Sequence, residues 1–242
     1  MPLSTRQREV LHQIGIPVWV PRQSPAGEPP DVGATEVSGV PGQATAAAAT
    51  VRSAPVAELD LGGLQARVAG CTACTELARQ RTQTVFGVGD SHADWLFIGE
   101  APGAEEDRRG EPFVGRAGQL LENMLAALGL RRGDNVYIAN ILKCRPPGNR
   151  DPSPEETSAC RPFLDRQIDL IQPRVIVALG RIAAQSLLDS SAPLGRLRGR
   201  EHELRGIPLV VTYHPAYLLR SPSDKARAWG DLLLARARVL RS

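Results

Sequence analysis

The sequence has no apolar run long enough to cross a membrane, and no apolar stretch near its start of the kind that a secretory signal needs. We therefore expect a cytoplasmic protein with no membrane association. Lysine is almost missing as well, since only Lys143 and Lys225 occur and the other basic side chains are arginines. The formal net charge is +3, which permits nucleic-acid binding without requiring it.

Cysteine is equally scarce, with one C-x2-C pair and two single residues further along: Cys71, Cys74, Cys144 and Cys160. Without any sign of export, a disulfide framework is disfavoured and metal ligation is the leading explanation. A predicted strand precedes Cys144, and a predicted helix carries Cys160, so folding can bring the four thiolates together. Their spacing alone is equally compatible with tetrahedral zinc and with an iron–sulfur cluster.

Composition divides the chain into three segments. Residues 1–23 are predicted to form a short helix followed by an apolar hook, IGIPVWVPR, which could bind a partner or pack on its own domain. Residues 24–55 are rich in Ala, Gly, Pro, Ser and Thr and are predicted to be a flexible linker. Residues 56–242 are predicted to form one catalytic domain.

Within the third segment, short runs rich in Val and Ile alternate with helical patterns. The predicted strands are 93–100, 135–143, 174–180 and 207–214, and the predicted helices are 118–130, 153–171, 181–189 and 225–240. Ser153 stands three residues before Glu156, which is the signature of a capping box at the start of the second helix. The alternation predicts an α/β fold with three layers, α/β/α, around a mainly parallel four-stranded sheet. Ligands of such folds bind beyond the carboxyl ends of the strands.

A glycine-rich loop from Gly99 to Leu121 leads from the first predicted strand to a helix. Loops of this kind bring backbone N–H groups close to a ligand. The loop lacks the G-K-[ST] of a P-loop and the G-x-G-x-x-G of a dinucleotide site. By itself it indicates a ligand site of unknown class.

Three motifs, together with the cysteines, resemble those of the family 4 uracil-DNA glycosylases: GEAPGAEEDRRGEPFVG (99–115), NILKCRPPGNRDPSPEE (140–156) and TYHPAYLLR (212–220). The resemblance implies a DNA repair hydrolase that flips uracil out of DNA, cleaves its N-glycosidic bond and leaves an abasic site. It implies a 4Fe–4S cluster on the four cysteines, with a structural role because hydrolysis needs no electron transfer. It also implies a monomer whose substrate is single- or double-stranded uracil-containing DNA. The N-terminal hook would then be a site for a repair or replication partner.

The resemblance assigns three residues to the base. Phe113 is similar to a residue that stacks on the uracil ring. Asn140 is similar to the residue whose amide accepts from uracil N3–H and donates to O4, a pattern that cytosine reverses. His214 is similar to a donor to uracil O2, where negative charge develops as the base leaves.

Acidic residues of the glycine-rich loop have less definite roles. The resemblance places Ala101 where the distant family 1 enzymes carry a water-activating Asp, so Glu100 is the candidate for positioning water or stabilising the cationic sugar. The backbone groups of both residues are candidates for base contacts. Glu106 is similar to a residue near uracil C5 that could exclude the methyl group of thymine.

Four further residues are candidates for DNA contacts. Leu218 occupies the position of a leucine that related glycosylases insert into the duplex after the base flips out. Arg220, Arg198 and Arg200 are candidates for phosphate contacts.

Two other classes of function remain open on the sequence. A redox or electron-transfer iron–sulfur protein would explain the cysteines but not the glycine-rich loop or HPAYLLR. The second of these classes is a zinc-stabilised module that binds nucleic acid but has no catalytic activity. A superfamily variant that traps DNA covalently is disfavoured, because no basic insertion precedes the HP motif.

Overall fold

The computed structural model describes residues 54–240 of the chain. The helix and hook predicted at 1–23, and all but the last two residues of the predicted linker at 24–55, lie outside this range. Among the described residues, no helix is both long enough and apolar enough to span a bilayer.

One sheet runs through the centre of the described part of the chain. Its strands are β1 Val88–Gly89, β2 Trp95–Gly99, β3 Val136–Asn140, β4 Val175–Leu179, β5 Glu201–Leu204 and β6 Ile207–Thr212. They lie in the order β1-β3-β2-β4-β6-β5, and the four inner strands are parallel. The predicted α/β fold and its four parallel strands are therefore confirmed.

The prediction of only four strands was wrong at both edges of the sheet. The strands β1 and β5 pair antiparallel with β3 and β6 and extend the sheet to six strands. The edge strand β1 has only two residues, and β5 has three polar residues among its four, so neither carries an apolar run. Edge strands with one exposed side lack the continuous hydrophobic pattern by which buried parallel strands are recognised.

Helices cover both faces of the sheet. They are α1 Leu61–Ala69, α2 Thr75–Gln80, α3 Ala104–Arg109, α4 Arg116–Ala127, α5 Pro154–Ile171, α6 Arg181–Leu187, α7 Leu194–Leu197, α8 Pro215–Arg220 and α9 Lys225–Val239, with 3₁₀ turns at Val56–Glu58, Pro147–Asn149 and Pro222–Asp224. On one face, α5 and α6 pack on the sheet through residues such as Leu164 and Ala184. On the other, α4 and α9 pack through Leu121, Leu125 and Leu232. This gives the predicted three layers.

The capping box predicted at the start of α5 is confirmed. Ser153 Oγ accepts a hydrogen bond from the Glu156 N–H at 3.2 Å, and the Ser153 N–H donates to Glu156 Oε2 at 2.9 Å. This cap fixes the start of the helix that carries Cys160. The carboxylate of Glu156 also pairs with Arg150, which anchors the loop between β3 and α5.

Candidate active site

A cavity of about 490 Å³ opens beyond the carboxyl ends of the parallel strands. The loops after β2, β3 and β6 supply most of its lining. The six residues that the resemblance assigns to the base, the water or the sugar line it together: Glu100, Ala101, Glu106, Phe113, Asn140 and His214. They come from three separate motifs and meet because parallel strands bring their carboxyl ends to one edge.

Asn140 ends β3 with its side chain almost fully buried, at 2 % exposure. Its backbone carbonyl accepts a hydrogen bond from Lys143 Nζ at 2.9 Å, and the same ammonium donates to Gln167 Oε1 at 2.6 Å. These buried bonds stabilise the turn that leaves β3, and so fix the backbone from which the Asn140 side chain projects.

Gly99 lies beside Asn140 at the end of β2, and its packing role was not predicted from the sequence. A Cβ atom at this position would lie 2.4 Å from Asn140 Oδ1 and 2.6 Å from Phe113 Cζ. Any other residue here would therefore push apart the two side chains that face the cavity. Only the tertiary packing reveals this, because a glycine at the end of a strand is otherwise an ordinary turn residue.

Phe113 adopts a left-handed backbone conformation, with φ of 55°, which is unfavourable for a bulky residue. Arg132, another residue missed in the sequence, stabilises this backbone conformation from the side away from the cavity. The Arg132 guanidinium donates to the carbonyls of Pro112 and Phe113 at 2.8 and 2.9 Å, and its Nε donates to Glu122 at 2.6 Å. The Phe113 ring is thereby held against the cavity with 7 % of the residue exposed.

Glu106 stabilises the same loop from within. Its Oε1 accepts from the N–H groups of Val114 at 3.0 Å and Gly115 at 3.3 Å, and its Oε2 accepts from the Gly103 N–H at 3.1 Å. The carboxylate thus lines the cavity while holding the backbone on both sides of α3 together. This bracing was not predicted from the sequence.

His214 caps the N-terminus of α8. Its Nδ1 accepts a hydrogen bond from the Ala216 N–H at 3.1 Å, so the neutral ring carries its proton on Nε2. The pKa of His214 is lowered to about 4, mainly by burial and in addition by Arg220, while Glu106 partly opposes the change. At neutral pH this histidine is therefore an uncharged donor. Its ring centre lies 5.5 Å from that of Phe113.

Glu100 follows β2 directly and is half-buried. The pKa of Glu100 is raised to about 7, mainly by burial and in addition by the nearby Asp151 carboxylate, while Arg181 partly opposes the change. Arg181 itself pairs with Asp151 at 2.8 Å. A carboxyl group with a pKa near neutrality, beside a ligand cavity, is suited to acid–base or electrostatic catalysis.

Comparison with known proteins agrees with this geometry. The model of the uracil DNA glycosylase superfamily matches residues 86–233, a range that holds every cavity residue named above. The chain belongs to the uracil-DNA glycosylase superfamily. Among its curated relatives is the type-4 uracil-DNA glycosylase of Archaeoglobus fulgidus, with 47 % identity over 64 % of this chain and 81 % of the relative. The type-4 enzyme of Thermotoga maritima is 48 % identical over 66 % of this chain and 84 % of its own length. The type-4 enzyme of Pyrobaculum aerophilum is 42 % identical over 73 % of this chain and 93 % of its own length. The expected family 4 resemblance is thus confirmed.

Two of the DNA contacts expected for a glycosylase of this superfamily are corrected by the structure. Leu218 is only 1 % exposed, because α8 packs against α4, so the structure does not present this side chain to a duplex. Its neighbours Tyr217 and Leu219 are the exposed residues, each at 37 %. Arg198 is also engaged inside the protein: it pairs with the buried Asp231 at 2.9 Å and is only 16 % exposed.

The other two predicted DNA contacts are placed at the surface of the glycosylase. Arg220 is exposed and lines the mouth of the cavity. Arg200 is exposed at the start of the β5–β6 hairpin. Both positions leave the guanidinium groups accessible to a phosphate.

Cys71 and Cys74 lie on the loop between α1 and α2, Cys144 follows β3, and Cys160 lies on α5. Three of them, Cys74, Cys144 and Cys160, pack in one cluster with Leu77 and Leu142. All four thiols are free, and Arg81 donates to Cys144 Sγ at 2.9 Å and to the Cys71 carbonyl at 2.7 Å. Across residues 54–240, no three or more His, Cys, Asp or Glu side chains lie close enough together to hold one metal ion.

Proposed function

We propose that this protein removes uracil from DNA by hydrolysing its N-glycosidic bond, which leaves an abasic site for base excision repair. The observation that carries the proposal is the meeting of Phe113, Asn140 and His214 around one cavity, since these residues supply a stacking surface, an edge-reading amide and a neutral donor. Membership of the superfamily and the type-4 relatives support it.

Recognition of the base rests on Phe113 and Asn140. The Phe113 ring offers a flat apolar face to the pyrimidine. The Asn140 amide accepts from N3–H and donates to O4 of uracil. Cytosine presents the reverse polarity at both positions, so its binding would leave buried polar groups unpaired, which typically costs about 1–3 kcal/mol for each group. The Asn140 side chain is almost fully buried and packs closely on Gly99, which leaves its amide little room to turn and suit cytosine.

His214 acts on the departing base. Its Nε2–H donates to uracil O2, where negative charge builds up as the glycosidic bond breaks. Because the ring is already neutral and oriented by the Ala216 N–H, no proton has to move before the reaction. A fixed donor of this kind strengthens as charge develops and so stabilises the transition state more than the bound substrate.

Glu100 acts on the sugar side. In its ionised form the carboxylate stabilises the cationic sugar and orients the attacking water. The raised pKa near 7 means that both charge states of Glu100 are populated at neutral pH. Activity should therefore increase as this group loses its proton.

A direct test is incubation of the purified protein with a uracil-containing oligonucleotide, followed by alkali to cleave abasic sites. We expect cleavage only at uracil, in single- or double-stranded substrate or in both. Intact oligonucleotide from protein that is folded and holds its metal would refute the proposal.

We also propose that the four cysteines hold a 4Fe–4S cluster. The donor set fits: all four thiols are free, three pack together, and Lys143 and Arg81 place positive charge beside them. Bound there, the group would join the α1–α2 loop to the loop after Asn140 and to α5, which is a structural role. Purified protein should be yellow-brown with about four iron and four sulfide per chain. Cys144→Ser should lose colour, iron and thermal stability together, and stoichiometric zinc without iron would refute the cluster.

We propose that residues 56–242 form the catalytic unit and that the protein is a cytoplasmic monomer. The hook within residues 1–23 would bind a repair or replication partner. Deletion of residues 1–55 should then leave the rate of base excision unchanged. A loss of more than about tenfold would mean that this segment contributes to catalysis or to DNA binding.

A further inference from the structure

Tyr217 is an aromatic side chain at the mouth of the cavity that the chemistry described above does not use. It lies on α8 and lines the cavity, and it is 37 % exposed. Large exposed aromatic residues beside a nucleic-acid site are candidates for base stacking.

The Tyr217 ring is held rigidly from behind. One of its faces stacks on Tyr213, with ring centres 5.2 Å apart and planes inclined by 11°. Its hydroxyl donates to Asp224 Oδ2 at 2.8 Å, which fixes the rotation of the side chain.

A further layer lies behind Tyr213. The Arg198 guanidinium sits 4.7 Å from the centre of the Tyr213 ring, and the same group is held by two oxygens of the buried Asp231. Arg198, predicted from the sequence to contact phosphate, thus supports the stack. The three layers are Arg198, Tyr213 and Tyr217, and the outermost ring faces the cavity mouth.

We propose that the free face of Tyr217 stacks on a nucleobase next to the extruded uridine; this inference rests on the proposed function. When a nucleotide flips out, its neighbour loses a stacking partner, and a flat ring at the mouth of the base pocket can replace it. Leu218 cannot do so because it is buried. Arg220 lies three residues further along the same helix, on the same side, where its exposed guanidinium can contact the adjoining phosphate.

Rigidity is what makes this surface effective. A side chain that is already held by a ring stack and a hydrogen bond loses little rotamer freedom when a base binds. Base–aromatic stacking is sequence-tolerant because every base has a π-face, so Tyr217 should strengthen binding regardless of the neighbouring base.

The test measures binding to an oligonucleotide that carries a stable tetrahydrofuran abasic-site analogue, so that it does not depend on excision. Tyr217→Ala should weaken binding roughly 5- to 150-fold, as expected for the loss of one base–aromatic stack. Tyr217→Phe should bind within about twofold of the wild type, because it keeps the ring and the stack on Tyr213, which orients the ring even without the bond to Asp224. Leu219→Ala is the matched control, since Leu219 is equally exposed on the same helix but does not line the cavity.

A spectroscopic readout separates stacking from a general loss of affinity. With 2-aminopurine placed beside the abasic analogue, wild-type protein and Tyr217→Phe should quench its fluorescence, whereas Tyr217→Ala and Tyr217→Leu should not. Tyr217→Leu keeps the apolar bulk without a flat face, and inhibition by free uracil should be unchanged in all variants.

Wild-type affinity in Tyr217→Ala would overturn the proposal, and so would an equal loss in Leu219→Ala. A loss in Tyr217→Phe as large as in Tyr217→Ala would assign the effect to the hydrogen bond with Asp224 and would overturn stacking as well. A wild type that binds the abasic analogue but leaves uracil in place would instead refute the proposed function.

Discussion

Arg132 holds Phe113 in the left-handed backbone region: its guanidinium donates to the carbonyls of Pro112 and Phe113 from outside the cavity. Arg132 belongs to none of the sequence motifs and does not line the cavity. Its two bonds offset a backbone strain of about 1–3 kcal/mol that a non-glycine residue with positive φ typically carries. The position of the stacking ring therefore depends on a residue outside the cavity.

Arg132→Lys should weaken uracil binding, because an ammonium cannot bond two adjacent carbonyls and Glu122 in the geometry of a planar guanidinium. We expect the inhibition constant of free uracil to rise about tenfold, which corresponds to about 1.4 kcal/mol. Affinity for abasic-site DNA should stay near that of the wild type. Arg131→Lys is the control, since Arg131 is the adjacent residue and is 80 % exposed. Equal inhibition constants in the two variants would contradict this role.

The rate of uracil excision should rise with pH as Glu100 loses its proton. Burial raises the pKa of Glu100 to about 7, so the active carboxylate is the minor form below this pH and the major form above it. Single-turnover rates should increase up to about tenfold per pH unit below the midpoint and level off above it. His214, with a pKa of about 4, should add no step between pH 5.5 and 9.

Two variants check the assignment of this pH profile. Glu100→Gln should be slow and insensitive to pH. Asp151→Asn should shift the midpoint to lower pH, because the Asp151 carboxylate raises the pKa of Glu100 and its removal leaves Arg181 to lower it. A midpoint that stays in place in Glu100→Gln would assign the titration to another group.

His214→Ala should slow excision on the order of a hundredfold or more while leaving DNA affinity nearly unchanged, because its hydrogen bond strengthens only as the base departs. Single-turnover rates and binding to uncleavable DNA measure the two effects separately. His92→Ala serves as the control, since His92 is exposed and lies away from the cavity. Excision by His214→Ala at close to the wild-type rate would show that the donor lies elsewhere.

Gly99→Ala should impair base recognition, because its methyl group would overlap both Asn140 Oδ1 and the edge of the Phe113 ring. Overpacking of this kind typically costs about 1–3 kcal/mol, so we expect a lower melting temperature and weaker inhibition by free uracil. Gly195→Ala introduces the same methyl group where no atom lies within 4 Å and should change neither quantity. If free uracil inhibited Gly99→Ala as strongly as the wild type, the cavity would tolerate the displacement of Asn140 and Phe113.

Much of this protein can be read from local patterns in its sequence. Apolar runs identify the four inner strands, since a strand buried on both faces must be apolar throughout. The cap at Ser153, the free cysteines and the motif residues at the strand ends were also found in this way. Each of these features depends on neighbours close in the chain or on residue types that a given chemistry requires.

The tertiary structure decided which side chains are accessible and which are held in place. On α8, residues 217, 218 and 219 are consecutive, and only the packing of the helix against α4 determines that the leucine at 218 is inside. Arg198 looks like any surface arginine until Asp231, 33 residues away, is found beside it. Gly99 and Arg132 gain their importance from contacts with Phe113: Gly99 begins the motif that contains Phe113, and Arg132 lies 19 residues beyond Phe113. Such contacts join residues that are distant in sequence, so their effect depends on how the elements pack rather than on any local pattern.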